Sequence, residues 1–291
     1  MWFWSITITQ ANIPGALTKV RPLKKQTEEE MSLIQHLSYS SIRQYMECGL
    51  QFKFRKIDNL KPEHTPEALI FGSCIHKALS RYNQHKANHK TVNLPELKDW
   101  FEKYWISAAE NTENLVYTKD NDFYGCLNKG KELLETFYAN RPVDSEYEVI
   151  EVERDFVLEL EDIPYEIIGY IDLIERDEEN NIIITEYKTA TKSYSKQQID
   201  LNDQITLYHL YARRRFPAQS IMSKIDCLLK KKRPAFEQYY TYRSREDHSR
   251  FINVTAQVAK AIEAGIFIPN TYSWRCTSCE YQNACKAWLS N

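Results

Sequence analysis

Three residue types at a fixed spacing carry the strongest chemical signal in this chain. Asp172 closes the run Gly169-Tyr170-Ile171-Asp172, and Glu186-Tyr187-Lys188 closes the next apolar run, with a polar turn between the two. Strand side chains alternate with period 2, so Lys188 projects to the same side as Glu186, and hairpin pairing brings Asp172 to that face too. Two carboxylates and an ammonium on one sheet face suit phosphodiester hydrolysis. The carboxylates are hard oxygen ligands for Mg²⁺ or Mn²⁺, which polarises a phosphate and lowers the pKa of a water molecule. The ammonium orients the attacking water or stabilises charge developing on the phosphate. Against this, aspartate, glutamate and lysine are common, and an amphipathic hairpin with a solvent-face salt bridge gives the same string. Alone it is a weak signal.

The elements that must position these groups show as changes of period. Residues 38 to 45 read as a capped helix start, with Ile42 and Tyr45 three apart and Cys48 at its close. From residue 67 to 82 the apolar positions Ala68, Leu69, Phe71, Ile75, Ala78, Leu79 and Tyr82 recur at helical spacing, and His76 sits on this helix. Further helices between residues 95 and 140 end at Arg141-Pro142. The period then falls to 2. Strands are expected at 149 to 156, 165 to 175 and 182 to 188, as a meander whose third strand is β-branched enough for a buried position. One helix is expected over 199 to 216, then strands at 221 to 229 and 236 to 242 and a helix from 245 to 264. The fold class is α/β with one catalytic core.

A chain of 291 residues, 43% hydrophobic and 13% aromatic, has ample material for a packed core. Its 38 basic and 40 acidic side chains nearly cancel, so contact with a polyanion must come from local patches. Basic runs at residues 53 to 56, 213 to 215, 230 to 233 and 243 to 245 interleave with aromatics, the combination single-strand binders use, although a charge run is most often a solvated face. No run approaches the roughly 18 apolar residues of a membrane span, and the apolar start lacks a basic leader region, so a cytoplasmic protein is expected. Met31 is expected to be the genuine start, with residues 1 to 30 a disordered extension. A single domain is expected over 31 to 291: mainly helical to 145, catalytic sheet and helix over 146 to 243, then a C-terminal helix and cysteine cluster.

Seven cysteines in odd number and lopsided spacing argue against a disulfide framework. Cys276-x2-Cys279-x5-Cys285 is compact and one ligand short of four, and Cys48 can supply the fourth. Clustered thiolates select zinc or an iron-sulfur cluster, and four satisfy either. The gap from Cys48 to Cys276 is unlike that of zinc ribbons. Cys74, Cys126 and Cys227 lack partner spacing and read as small buried hydrophobes.

The segment Gly-Tyr-Ile-Asp-Leu-Ile, a polar turn, an aliphatic strand, Glu-Tyr-Lys-Thr and a helix carrying Gln204 and Tyr208 resembles the RecB-like branch of the PD-(D/E)XK nucleases. Upstream, residues 71 to 79 resemble that family's Gly-x-x-x-His helix. The resemblance covers roughly residues 38 to 288 and implies a restriction-endonuclease-like core, a mixed central sheet flanked by helices with a helical insertion. It implies His76, Asp172 and Glu186 as ligands of Mg or Mn, with the main-chain carbonyl of Tyr187, and Lys188 as the catalytic lysine. Gln204 and Tyr208 would support the site, and Glu153 matches an acidic residue one strand earlier. One cysteine before the core and three after it is similar to the iron-sulfur members, AddB-like subunits and CRISPR-associated RecB-like exonucleases. Cys48, Cys276, Cys279 and Cys285 would then hold a [4Fe-4S] cluster as a clamp between the N- and C-terminal parts, with zinc the other occupant. Gly49 stands where that family usually has proline.

The expected function is a metal-dependent DNA exonuclease acting on single strands or strand ends, in repair, recombination or CRISPR adaptation. DNA is the expected partner, with helicase or integrase subunits and self-association as further ones. No Gly-x4-Gly-Lys-Ser/Thr loop occurs, so any helicase activity belongs to a partner. The competing reading is a non-catalytic DNA-binding or scaffolding subunit.

Overall fold

Helical periodicity gives way to strand alternation near Arg141, and the molecule is organised around that change. In the computed structural model the described residues are 20–21, 34–119, 121–141, 147–217 and 219–290. They begin with the short strands β1 (Val20–Arg21) and β2 (His36–Ser38), then helices α1 (Tyr39–Glu47) and α2 (Gly49–Lys56). A minor parallel pair, β3 (Thr65–Pro66) and β4 (Leu115–Val116), brackets α3 (Glu67–Ala87) and α4 (Leu94–Glu110), and α5 (Phe123–Asn140) follows. Next come β5 (Glu148–Leu158), β6 (Glu166–Arg176) and β7 (Ile182–Ala190), then α6 (Lys196–Asp200) and α7 (Asp203–Arg215). The chain continues with β8 (Ile221–Leu229), β9 (Ala235–Thr241) and α8 (Arg245–Glu263), a 3-10 turn (Trp274–Ser278) and α9 (Gln282–Leu289).

Among the described residues the main sheet runs β1-β5-β6-β7-β8-β9, with β2 against β6. The meander β5-β6-β7 is antiparallel, while β7 and β8 are parallel, so the sheet is mixed. Of the segment expected to be an extension, Val20 and Arg21 pair with Leu158 and Val157. The rest of residues 1 to 30 lies outside the described residues.

The pairing of β6 differs between its two edges. One edge pairs with β5 along most of its length; the other is shared by β2, at residues 166 to 168, and β7, at residues 173 to 176. Residues 169 to 172 fall between these two partners, at a fork in the sheet.

α1, α7 and α8 bury Ile42, Leu207, Tyr211 and Phe251 against Ile182 and Ile184 on one face of the sheet. α3, α4 and α5 bury Phe71, Leu79, Phe101 and Leu133 against Leu173, Tyr187 and Leu228 on the other. Each such side chain contributes about 1.5–3 kcal/mol by leaving water. Helix α5 approaches α4 so closely that a Cβ at Gly130 would stand 1.9 Å from the Phe101 ring, which only glycine permits.

Two sequence expectations are corrected. The helix expected over 199 to 216 is broken at Leu201–Asn202, because Asn202 caps α7, accepting from Ile205 N–H at 3.2 Å. The Arg243 guanidinium bridges the break, donating to the carbonyls of Ile199 (2.8 Å) and Asn202 (3.2 Å), so this member of a basic run is a buried structural strut. In β5 the simple alternation fails: the register shifts between Val149 and Glu151, and Glu153 has φ +52°, a left-handed conformation that turns its side chain out of sequence.

Candidate active site at the fork of the sheet

The ladder between β6 and β7 stops at Leu173 and Thr185. One step further the strands part, and the Tyr187 N–H donates to Asp172 Oδ2 at 2.8 Å instead of to a main-chain carbonyl. A carboxylate thus serves as ladder partner where the sheet forks. Its other oxygen, Oδ1, lies 3.1 Å from His76 Nδ1, carried across from α3. Glu186 and Lys188 are alternate residues on β7, and Lys188 Nζ donates to Glu186 Oε1 (2.5 Å) and to Gln204 Oε1 (2.7 Å). Gln204 and Tyr208, one turn apart on α7, complete the knot: Gln204 Nε2 donates to Glu186 Oε1 (2.9 Å) and to the Tyr208 hydroxyl (2.7 Å). Glu153 stands across the β5–β6 register from Asp172, between the pairs Val152–Leu173 and Arg154–Ile171.

The electrostatics reflect the crowding of carboxylates where water is scarce. Burial, and then Asp172, push the Glu186 carboxyl up to about 7, against the pull of Lys188 and His76. Burial and Asp172 also raise Glu153. Burial works to lower His76 and Lys188, but Asp172 and Glu186 outweigh it, so both stand above their ordinary values. Glu186 Oε2 is buried and has no hydrogen-bond partner among the described residues. Two carboxylates with raised proton affinity and an unpartnered buried oxygen form a site short of positive charge.

Such a donor set fits a hard divalent cation. As the side chains stand they bond to one another, and among the described residues no group of three or more histidine, cysteine, aspartate or glutamate side chains is arranged to hold a metal ion. A cation held by His76, Asp172 and Glu186 would therefore replace the direct His76–Asp172 contact.

A profile of the PD-(D/E)XK nuclease superfamily matches residues 36–286, a span that contains every residue of this site. The chain belongs to the PD-(D/E)XK nuclease superfamily. The fold recurs in the crystal structure of a protein described as a "putative exonuclease" from Eubacterium rectale, with a TM-score of 0.53 and 11% identity over 84% of this chain and 88% of that one. The crystal structure of SSO0001 covers 85% of this chain and 95% of its own at 14% identity, but its TM-score of 0.29 is too low to bear on the fold. No curated protein matches the chain.

In this superfamily member the four cysteines expected to act together line one cavity of about 330 Å³ with Leu50, Phe54 and Tyr281. No disulfide links any described cysteine. Burial raises the Cys279 and Cys285 thiols. The C-terminal arm is fastened to α1, α2 and the loop after α2 here: Asn270 Nδ2 donates to the Glu47 carbonyl (3.0 Å), Glu63 N–H in the loop to the Glu280 carbonyl (2.9 Å), and a Cβ on Gly49 would meet Ile268 N at 3.0 Å. Glycine in place of proline at 49 thus lets the arm cross closely. In donor type four thiols match zinc or a four-iron cluster, although as the side chains stand they too are not arranged to hold a metal ion. Cys74, Cys126 and Cys227 are buried elsewhere in the core, which raises their thiols to about 11, 11 and 12.

Sequence reasoning missed a buried ionic group beneath the site. Lys224 lies 3.7 Å from Glu175 and 3.5 Å from Asp226, and Lys86 lies 3.2 Å from Glu175. Beside them Asn83 Nδ2 donates to the Tyr187 hydroxyl at 3.0 Å, so the residue whose N–H holds Asp172 is anchored at its far end. Charges at alternate positions 224 and 226 of an otherwise apolar run were the available signal.

Proposed function

We propose that this protein is a metal-dependent DNA exonuclease of the RecB-like branch, acting on single strands or strand ends, built as a single nuclease domain. The observation that carries the reading is the fixed Lys188 ammonium, held between Glu186 and Gln204 beside Asp172. His76, Asp172 and Glu186 would hold Mg²⁺ or Mn²⁺, which when bound supplies Lewis acidity toward the phosphodiester. Lys188 would donate to a phosphate oxygen or orient the attacking water. Gln204 and Tyr208 hold Lys188 and Glu186 in position, and Tyr187 sets Asp172 through its N–H. Glu153 supports the acidic side of the centre. The choice of exonuclease rests on the RecB-like resemblance and on the description given to the Eubacterium rectale protein. Cys48, Cys276, Cys279 and Cys285 would hold a [4Fe-4S] cluster with a structural role, joining the C-terminal arm to α1 and α2.

The test is cleavage of 5′- and 3′-labelled single- and double-stranded DNA with Mg²⁺ or Mn²⁺, comparing anaerobically purified wild type with Lys188→Ala. Metal-dependent degradation by wild type alone is expected, with the label pattern giving polarity. Folded, metal-loaded wild type that binds DNA and cuts none of it would make the protein a binding or scaffolding subunit.

A further inference from the structure

Helix α3 carries a second pattern on the face turned away from the core. Its buried stripe is Phe71, Cys74, Ile75, Ala78, Leu79 and Tyr82; between these, Lys77 and Arg81 stand exposed one turn apart, with His85 half-buried a turn further on. Residues at i, i+4 and i+8 share one face, and each step advances about 6 Å along the axis. Successive backbone phosphates of an extended single strand recur on that scale.

Neither cation is neutralised by a carboxylate among the described residues, although Arg81 packs on an aromatic ring. Arg81 is held over the Trp100 ring, its guanidinium carbon 4.5 Å from the centroid, and the His85 ring lies 4.9 Å from the same indole. Lys77, Arg81 and His85 line an open groove of about 750 Å³, walled by α3, by Tyr104 of α4 and by Glu153 of β5. His76 lines it too, so the groove opens onto the candidate centre. Among the described residues Glu153 is the only acidic one of its lining, and it stands beside Asp172 at that end.

We propose that this groove is the track for one nucleic-acid strand, with consecutive phosphates along Lys77, Arg81 and His85 leading to His76 and Asp172. The proposal rests on the nuclease reading above and specifies its substrate class. Among the described residues the lining presents its cations along one line, which matches one backbone more closely than the two of a duplex. Tyr104 supplies an aromatic surface on which an unpaired base can stack.

The probe is fluorescein-labelled oligothymidylate, single-stranded or annealed to oligoadenylate, with binding followed by anisotropy in Ca²⁺ across a salt series. Wild type should prefer the single strand. Lys77→Ala and Arg81→Ala should each reduce the slope of log affinity against log salt by about 0.7, and together by about 1.4, as expected for single-strand phosphate contacts. Lys260→Ala, on α8, should leave the slope unchanged. Lys77 is exposed, so its variant keeps the fold even if Arg81→Ala disturbs the packing on Trp100. Wild-type slope and affinity in the double variant, or wild type that binds duplex and single strand alike, would overturn the track. The two readings fail separately. A protein that binds strands through Lys77 and Arg81 yet cuts nothing in Mg²⁺ or Mn²⁺ retires the nuclease and keeps the track. Cleavage with an unchanged KM in the double variant does the reverse.

Discussion

The fork of the sheet and the cysteine cavity are both places where distant parts of the chain meet, but they are held in different ways. At the fork, Asp172, Glu186, Lys188, Gln204 and Tyr208 bond to one another and to the backbone of strands buried on both faces. In the cavity, four thiols line apolar walls, carried by the α1–α2 junction, the 3-10 turn and its end, and α9. The first region is organised by the sheet; the second rests on a few contacts of the C-terminal arm, and the proposed cluster would add to them. Chemistry and stability should therefore separate on mutation.

The largest effect should come at the fork. Lys188→Ala is expected to lower kcat on single-stranded DNA by on the order of 10²–10³-fold, the cost of losing one donor to developing charge. Its melting temperature should stay within a few degrees of wild type, and a large loss of stability would show that the knot also holds the fold. At the cavity the pattern should invert. Cys279→Ser, measured by bound iron or zinc and by melting, is expected to lose the bound metal and about 3 kcal/mol, or roughly 6–12 °C in a chain of this class. Activity per folded molecule should change little.

Acid should distinguish the regions further, because a histidine pair backs the fork and, among the described residues, no histidine lines the cysteine cavity. His209 follows Tyr208 on α7, is buried, and lies with Nδ1 2.9 Å from His248 Nε2 on α8. Burial, then His248, Arg213 and Arg243, lower His209 to about 4. A histidine depressed in the fold contributes stability above its unfolded value near 6.5, and that stability is lost as pH falls toward 4. Melting from pH 7 to 5 should show a loss of about 2 kcal/mol that His209→Gln removes. The smallest effect is expected from Asn83→Leu, which strands the Tyr187 hydroxyl. It should cost about 1–2 kcal/mol in denaturant unfolding, with a several-fold fall in kcat and little change in KM.

The parts legible in the sequence were those governed by local period. Alternation placed Glu186 and Lys188 on one side, and a 3.6-residue repeat marked the buried stripe of α3 with His76 beside it. The cysteine spacing singled out Cys276, Cys279 and Cys285, and the family resemblance added Cys48; the four line one cavity. Long-range pairing was not legible. β2 is three residues long and meets β6 across a gap of more than a hundred residues, so no local pattern announces the fork. Glu153 was named by the family resemblance, but its left-handed backbone escaped because it is imposed by position rather than by residue type. The break between α6 and α7 escaped because Leu201 continued the apolar spacing while Asn202 offered a cap.

The uneven pairing of β7 also gives the protein an engineering handle. β7 matches β8 residue for residue from Ile182 to Ala190, but touches the β6 ladder only from Leu173 to Arg176. Its position is dictated from the β8 side, and the hairpin turn at residues 177 to 181 adapts to it. Residues can be inserted there at the modest cost of a longer surface loop, which makes this turn the natural attachment point for a tag or reporter on a working enzyme.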